Sequence, residues 1–477
     1  MRHLPLWIFS YSVIFFLVLP WLIRDSMFMD AALDTSVAHN LSKGTGTLWF
    51  LKFNPADHGA YQEKPPLFYW IQAFFFTILG SSLYVERFYV LLTLLITSWL
   101  TVKIWKLFFS GDDKISAFGW FPLILWILIP VCWWSFRNNM IENTMGIFIL
   151  SAILFTIKAH RRTGINRIFY FILSGIFIFL ATFTKGLPGL FPLAITCIYW
   201  IAFRNTSFRK ALLFTVIQVF TVFFIYTSLL FFIPDSRESL YAHFFNRTIS
   251  RITEAPTVDN QLWIFYRLFG ELLPPILVSA LSLILFKNQV TGVYQGKEDL
   301  KNTLFFILAG LAGSAPLALT GVQKGFYLVP SLPLFAIGFS IFPARLMSLS
   351  DRFRSFFTKR FYMTLSISLL LLSASFVITF LNISNKGRED DLLHDIHTTG
   401  KIIPASTTIH LHPSLGSSWT MQSYLVRYCQ IGWDFSTEKK YYLIPKEADT
   451  IPPEGYEGTD NSFRLFHLYK KRDTAAE

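Results

Sequence analysis

The sequence predicts an all-α polytopic membrane protein that ends in a small soluble α/β domain. Apolar runs of about 20 residues, the length of a helix that crosses a bilayer, recur from the N-terminus to residue 381. Only 15% of the residues are charged, whereas soluble proteins have about 25%. From residue 382 onward, short strand-like and helical segments alternate. We therefore expect about 11 to 13 transmembrane helices, with interfacial helices in the first loop.

Eleven apolar segments are candidate spans. They cover residues 5–23, 84–108, 116–134, 144–158, 168–184, 186–203, 211–233, 263–286, 303–321, 326–343 and 361–381. The first has the charged flank of a signal peptide but no small-residue cleavage site, so we interpret it as a retained signal anchor. A twelfth stretch, Leu67 to Gly80, is short and follows Pro65-Pro66. We expect an interfacial or re-entrant helix there.

The placement of Lys and Arg predicts the orientation of these spans. In a soluble protein, the net charge of +12 would suggest an acidic partner such as nucleic acid, but here the basic residues cluster between apolar runs. If the Leu67 stretch does not cross, the basic clusters all fall on one side, as the positive-inside rule requires. The clusters hold Lys103, Lys106 and Lys114; Lys158, Arg161, Arg162 and Arg167; Arg204, Arg209 and Lys210; Lys287, Lys297 and Lys301; and Arg345, Arg352, Arg354, Lys359 and Arg360. We expect a cytoplasmic N-terminus, a C-terminus outside and no nucleic-acid partner.

This topology predicts two domains. Residues 1–381 form a transmembrane domain with outside segments at residues 24–66 and 234–262, and residues 382–477 form the α/β domain. Within the latter, the pattern predicts strands at residues 407–411, 440–444 and 463–469 and a helix at residues 419–429.

The first outside segment carries two carboxylates at helical spacing. Asp30 and Asp34 are four residues apart, so both lie on one face of a short helix, close enough to raise one pKa or to share a cation. A solvated face of an interfacial helix fits the same spacing equally well. Spacing alone leaves both interpretations open.

Glu63 and Lys64 precede the double proline at the predicted membrane surface. A Lys at headgroup depth can bind a phosphate as a point charge, and the prolines stiffen its approach. A salt-bridged turn that ends a helix is an equally common role for such a pair.

Further ionisable residues lie near the outside ends of later spans. Arg137 and Glu142 flank a polar turn, where they either form a functional pair at membrane depth or reach toward the interface. Lys185 and Lys324 are isolated cations that oppose the positive-inside pattern, so an anionic ligand explains them better.

The outside segment at residues 234–262 contains Arg247 and Arg251 among mixed charges. Such a loop could clamp a phosphate, although loops of mixed charge are mostly just solvated.

The order of these motifs resembles that of the GT-C glycosyltransferases, specifically the bacterial branch similar to protein O-mannosyltransferases and to the lipid A aminoarabinose transferase. The resemblance covers the chain from the first span to about Pro333. The matching segments are Phe28-Met29-Asp30, Ala38 to Gly44, Glu63-Lys64-Pro65-Pro66-Leu67, Glu142, Thr184-Lys185-Gly186, and Lys324 with Tyr327, Leu328, Pro330 and Pro333. The Glu-Lys-Pro-Pro element is the most specific of them.

The resemblance implies a GT-C fold and an inverting transfer of a sugar from a polyprenyl-phosphate donor to a lipid, glycan or protein acceptor. It places the chain in a bacterial inner membrane, with the active site and the C-terminal domain facing the periplasm. Asp30 is our choice of catalytic base and Asp34 is second, and Glu142 would orient the surroundings of Asp30 or a basic side chain. The donor-phosphate candidates are Lys64, Lys185, Lys324, Arg247 and Arg251, and the supporting residues are Glu63, Arg137 and Tyr327. No cofactor or metal is indicated, and use of a divalent cation is left open.

Two other functions fit parts of the pattern. A transporter or flippase of lipid-linked sugars also needs charges in its spans, but it would distribute them through the depth of the bilayer. A non-catalytic membrane subunit would bind a partner through its α/β tail, and the isolated tail would retain that binding.

Overall fold

The computed structural model describes residues 3–57, 59–247, 256–286, 296–436, 438–448, 452, 454–459 and 462–472. The chain forms two compact units. The helical unit comprises Met1–Leu22 and Val90–Leu381, and the mixed unit comprises Ile23–Tyr89 and Asn382–Glu477. Residues 24–66, which we expected on the outside, therefore belong by their contacts with the C-terminal tail, a grouping that the sequence did not indicate.

Within the described residues, nine helices are long and apolar enough to cross a membrane. They are Leu4–Leu22, Tyr84–Phe108, Ile141–His160, Gly164–Lys185, Phe208–Phe232, Trp263–Phe286, Lys297–Leu319, Gly325–Leu349 and Phe361–Leu381. This confirms the predicted polytopic membrane protein. The pair Trp120–Ile127 and Pro130–Arg137 is bent by 80° and forms a tenth span if the two helices are counted together.

Two predicted spans depart from straight helices at prolines and glycines. The bend within residues 116–134 falls where Pro130 occupies the first turn of its helix, since proline lacks the N–H that would continue the preceding one. Residues 186–203 form a 3₁₀ helix, Leu187–Ala194, followed by the α-helix Ile195–Phe203. Leu67–Leu79 is a helix of 13 residues, about 20 Å long, too short to span a bilayer.

Shorter helices connect these elements. They are Asp113–Ser116, Pro234–Tyr241, Ala242–Arg247 and Asp351–Lys359. The 3₁₀ helix Ala315–Leu319 ends the candidate span Lys297–Leu319, and the 3₁₀ helix Gly325–Ser331 begins the candidate span Gly325–Leu349.

Close packing and a few buried polar contacts hold the helical unit together. A Cβ atom at Gly310 would lie 2.6 Å from the Phe335 ring, so only glycine allows these helices to approach. The buried Gln218 side chain donates to Ser174 at 2.7 Å and to Thr156 at 3.1 Å. Such contacts satisfy polar groups where no water competes.

The mixed unit contains a five-stranded sheet with helices. Its helices are Met29–Ser42, Leu67–Leu79, Asp390–Ile402, Trp419–Tyr424 and Leu425–Cys429. Its strands are β1 (Thr408–Leu411), β2 (Gly432–Asp434), β3 (Tyr441–Pro445), β4 (Tyr456–Gly458) and β5 (Phe466–Lys471). The strand order is β2-β1-β3-β5-β4. β1 pairs in parallel with β2 and β3, and β5 pairs antiparallel with β3 and β4. The predicted α/β tail is thus confirmed.

Candidate functional site

A buried ion pair in the mixed unit joins two of the predicted site residues. The Lys64 ammonium lies 2.8 Å from Asp34 Oδ1 and 2.6 Å from Oδ2, and the Tyr69 hydroxyl donates to Oδ1 at 2.7 Å. The Asp34 side chain is 2% exposed and that of Lys64 14%. The Asp34 carboxylate therefore accepts three hydrogen bonds from two side chains, which occupy most of its acceptor positions.

The local sequence explains this geometry. Helix Met29–Ser42 presents Asp34 in its second turn, and Pro65-Pro66 immediately precede the helix Leu67–Leu79 that carries Tyr69. Proline fixes the backbone just after Lys64, so the Lys side chain and the Tyr hydroxyl converge from one stiff segment. The pair closes across 30 residues of sequence.

The surroundings of Lys64 keep its ammonium charged. Burial alone would lower the pKa of Lys64, but the Asp34 carboxylate, together with Tyr61 and Asp30, raises that pKa above its usual value. Burial raises the pKa of the Tyr61 hydroxyl, which therefore stays protonated. Asp30 is half-buried one helical turn before Asp34, and Glu63 is half-buried beside Lys64 in sequence.

The C-terminal tail holds the helix that carries these carboxylates. The Ser36 hydroxyl donates to the Ser423 carbonyl at 2.8 Å. The Tyr424 hydroxyl accepts from the Met27 N–H at 2.8 Å and donates to the Met27 carbonyl at 2.9 Å, just before the helix begins. These buried contacts fix Asp30 and Asp34 on the frame of the mixed unit.

A second buried pair lies in the helical unit. Lys185 donates to Glu142 Oε1, with the Glu142 side chain fully buried and that of Lys185 9% exposed. The Lys185 ammonium lies 4.4 Å from the centre of the Tyr327 ring and 5.6 Å from that of Phe326. Tyr327 thus adds a cation–π contact to the ion pair. Three predicted residues, far apart in sequence, meet here.

Glycine positions the end of the Lys185 helix. Gly186 has φ +81°, a left-handed conformation that ends the helix right after Lys185. A Cβ atom there would lie 2.9 Å from Nε2 of the buried His243. His243 therefore packs against the Thr-Lys-Gly motif, a neighbour that the sequence did not reveal.

An apolar cavity of about 740 Å³ is lined in part by residues that lie close to Lys185 in the sequence. Thr182 and Leu187, which flank the Lys185-Gly186 turn, both line it. The remaining lining is almost wholly apolar and includes Leu190, Val222 and Phe223. A chain-like apolar ligand would fit such a cavity, and Arg237 supplies a cation to its lining.

Two other predicted site residues, Arg137 and Lys324, do not belong to the two buried ion pairs. Arg137 donates to the Leu17 carbonyl at 2.7 Å, and its guanidinium lies 3.9 Å from the ring centres of Trp21 and Trp133. These contacts give it a structural anchor, and its supporting role in a site stays a prediction. Lys324 is exposed at the start of helix Gly325–Ser331.

The two arginines of the 234–262 segment are less informative. Arg247 ends the helix that begins at Ala242. Arg251 lies outside the described residues. Their assignment to the donor phosphate stays a prediction.

Glu271 is among the buried carboxylates that were not predicted from the sequence. Glu271 accepts from Arg267 at 2.5 Å and from the Val131 N–H at 2.7 Å. Arg267 also lines a cavity of about 240 Å³ with Trp133 and Trp134. The sequence does indicate this pair, because Arg267 and Glu271 stand four residues apart inside an otherwise apolar span.

In the described part of the chain, no group of three or more His, Cys, Asp or Glu side chains could hold a metal ion.

A known family matches part of the chain. The family model described as dolichyl-phosphate-mannose-protein mannosyltransferase matches residues 63–230, which include Lys64, Glu142 and Lys185. No curated protein sequence matches the chain significantly.

Solved structures match nearly the whole chain. ArnT from Cupriavidus metallidurans bound to undecaprenyl phosphate has a TM-score of 0.65 at 12% identity, over 98% of this chain and 98% of that one. The apo state of that protein has a TM-score of 0.66 at 12% identity, over 97% and 96%. The oligosaccharyltransferase of Archaeoglobus fulgidus in its apo form has a TM-score of 0.50 at 12% identity, over 90% and 64%. These similarities confirm the predicted GT-C fold and the resemblance from which it was inferred.

Proposed function

We propose that this chain, which has the GT-C fold, is an inverting glycosyltransferase. It moves a sugar from a polyprenyl-phosphate donor to a hydroxyl group of a lipid, glycan or protein acceptor. The fold and the family match at residues 63–230 support the reaction class. A lipid-phosphate donor is supported by that family, the dolichyl-phosphate-mannose-protein mannosyltransferases, and by the undecaprenyl phosphate bound to ArnT.

The observation that carries the proposal is the apolar cavity at Lys185. A polyprenyl phosphate combines a long apolar chain with a small dianionic head. The cavity offers about 740 Å³ of apolar space, and Thr182 and Leu187 of its lining stand just before and just after Lys185 in the chain. A polyprenyl chain in the cavity would place its phosphate within reach of the Lys185 ammonium, which attracts anions as a point charge.

The cations act on the leaving group. When the acceptor oxygen attacks the anomeric carbon, the bond from that carbon to the phosphate oxygen breaks, and negative charge develops on the polyprenyl phosphate. Fixed cations stabilise such charge more in the transition state than in the ground state. Lys185 is the principal candidate, and Lys64 is the second because its pKa keeps it charged. Lys324, Arg247 and Arg251 are further donor-phosphate candidates.

Asp30 is the proposed general base. It takes the proton of the acceptor hydroxyl as the new glycosidic bond forms, and the configuration at the anomeric carbon inverts in this single displacement. Asp34 is less suited to this step, because its carboxylate already accepts from Lys64 and Tyr69. We assign Asp34 the positioning of Lys64, and Glu142 that of Lys185.

The proposal also includes an orientation. The basic clusters predict that the ends of the helices carrying Lys185 and Lys324 face the periplasm of a bacterial inner membrane. The acceptor would then be a lipid, glycan or protein of the cell envelope, and the C-terminal α/β domain would share that side.

The test is a comparison of cell-envelope molecules by mass spectrometry. Lipids, glycans and glycoproteins are extracted from cells that lack the protein and from cells that express the wild type, Asp30→Asn or Asp57→Asn. Asp57 is an exposed carboxylate of the same segment and serves as the control. We expect a sugar-sized mass increase on one acceptor class with the wild type and Asp57→Asn, and none with Asp30→Asn at equal protein level.

Two results would count against the proposal. Full transfer by Asp30→Asn would remove Asp30 as the base. If the wild type adds no sugar to any acceptor yet moves a lipid-linked sugar across proteoliposome membranes, the chain is a transporter.

A further inference from the structure

A second large cavity lies at the other end of the helical unit from the Glu142–Lys185 pair. Its volume is about 610 Å³, and Met347 and Ser348 contribute to its lining. Tyr327, at the start of the same span, contacts Lys185. The 20 residues between Tyr327 and Met347 correspond to about 30 Å of helix, so this cavity is separate from the proposed donor site.

The walls of this cavity are apolar and aromatic. Phe118, Phe353, Phe357 and Phe361 line it. The ring of the buried Phe353 lies 5.5 Å from Phe118 and 4.6 Å from Phe357. The short helix Asp351–Lys359 thereby turns its aromatic side toward the cavity.

The rim of the cavity is mainly basic. Lys114 and Arg354 line it and are exposed, and the neighbouring carboxylate in the lining is that of Asp113. Arg354 lies 3.9 Å from Asp351, with side chains 54% and 93% exposed. An ion pair this exposed contributes little to stability, so the Arg354 guanidinium is able to leave Asp351 and bind another anion.

We propose that this cavity binds one anionic phospholipid of the surrounding membrane. An acyl chain would lie against the phenylalanine wall, and the lipid phosphate would bind Lys114 and Arg354. The two parts of the cavity match the two parts of such a lipid, and basic pockets at the ends of membrane helices select anionic headgroups. The same residues belong to basic clusters that the sequence places on the cytoplasmic side, opposite the proposed catalytic face.

The experiment uses the purified full chain in a mild detergent. Native mass spectrometry measures the binding of added phosphatidylglycerol, phosphatidylcholine and glycerol phosphate. We expect one phosphatidylglycerol to bind preferentially. Lys114→Ala/Arg354→Ala should weaken its binding roughly 25-fold, given about fivefold for each basic side chain near a lipid phosphate. Arg352→Ala is the control, since Arg352 is exposed on the same helix but does not line the cavity.

A variant of the apolar wall separates pocket binding from surface attraction. Ala117 lines the cavity, and Ala117→Leu reduces its volume without altering charge. Weaker phosphatidylglycerol binding by this variant supports the pocket. The proposal is overturned if phosphatidylcholine binds equally well, if glycerol phosphate binds as tightly as the lipid, or if Lys114→Ala/Arg354→Ala binds like Arg352→Ala. Lys114 and Arg354 are both exposed, so the double variant should unfold at the same temperature as the wild type when no lipid is present. That measurement confirms that the variant is folded.

Discussion

Lys64→Met and Asp34→Asn should destabilise the protein unequally, because the partners of this ion pair are buried to different extents. The Asp34 side chain is 2% exposed and that of Lys64 14%. Lys64→Met leaves the deeper charge without its cation, and the loss of one partner from a buried pair costs roughly 3–5 kcal/mol. Asp34→Asn leaves an ammonium that can reach water, so we expect a smaller loss of roughly 2 kcal/mol.

The double variant Asp34→Asn/Lys64→Met should be less destabilised than the two single effects added together, since no charge is then left buried alone. Side chains in direct contact couple by roughly 0.5–3 kcal/mol, and distances of 2.6 and 2.8 Å place this pair toward the upper end. The assay is thermal unfolding of the purified full chain in detergent. Lys64→Met should lower the midpoint by roughly 10 °C, at roughly 2–4 °C for each kcal/mol.

An exposed ion pair in the same unit provides the control. Lys471 lies 2.8 Å from Glu438, with side chains 49% and 55% exposed. Lys471→Met should change stability by roughly 0.5 kcal/mol or less, because water screens such pairs. If Lys64→Met lowers the midpoint no more than Lys471→Met, or if the two single effects simply add, Asp34 does not hold Lys64 and its positioning role is wrong.

Two further predictions concern His39 and the apolar cavity. Burial, aided by Arg427 and Lys43, lowers the pKa of His39 from 6.5 to about 3. As the pH falls, the His39 imidazole therefore binds a proton in the unfolded chain before it does so in the folded one. The free energy of unfolding should decrease by roughly 2 kcal/mol between pH 6.5 and 5. His39→Phe should remove that loss, which thermal unfolding at both pH values measures; an unchanged loss contradicts the prediction. Leu190→Trp narrows the cavity and should weaken binding of undecaprenyl phosphate roughly tenfold by native mass spectrometry, and wild-type affinity would exclude the cavity as the lipid site.

Apolar run length predicted most of the helical architecture. Each predicted span corresponds to a helix or a broken helix, because about 20 apolar residues have few alternatives in a bilayer. The helices depart from the predicted uninterrupted spans at Pro130 and Gly186, where the backbone conformation of proline and glycine interrupts an apolar run. The short strands Gly432–Asp434 and Tyr456–Gly458 went unpredicted, since three residues carry too little alternation to stand out.

The residues of the site were easier to predict than their partners. The spacing of Asp30 and Asp34 pointed to a pair of carboxylates, yet the structure pairs Asp34 with Lys64, 30 residues away. Such long-range contacts depend on tertiary packing, which local periodicity does not encode. Tyr69 was hidden because it stands in an apolar run, where an aromatic residue is expected to pack. Glu142 and Lys185 were each found as unusual charges near membrane depth, although their pairing was not.

The central claim, that Lys185 and its adjoining cavity bind a polyprenyl phosphate, is tested most directly by lipid binding to the purified full chain. Native mass spectrometry would compare undecaprenyl phosphate with undecaprenol, which has the same chain but no phosphate. We expect the wild type to bind undecaprenyl phosphate at least roughly tenfold more tightly than undecaprenol, in line with a charge-assisted contact of roughly 1.5–3 kcal/mol. Lys185→Met should bind the two lipids about equally. Equal binding of both lipids by the wild type, or an unchanged preference in Lys185→Met, would contradict it.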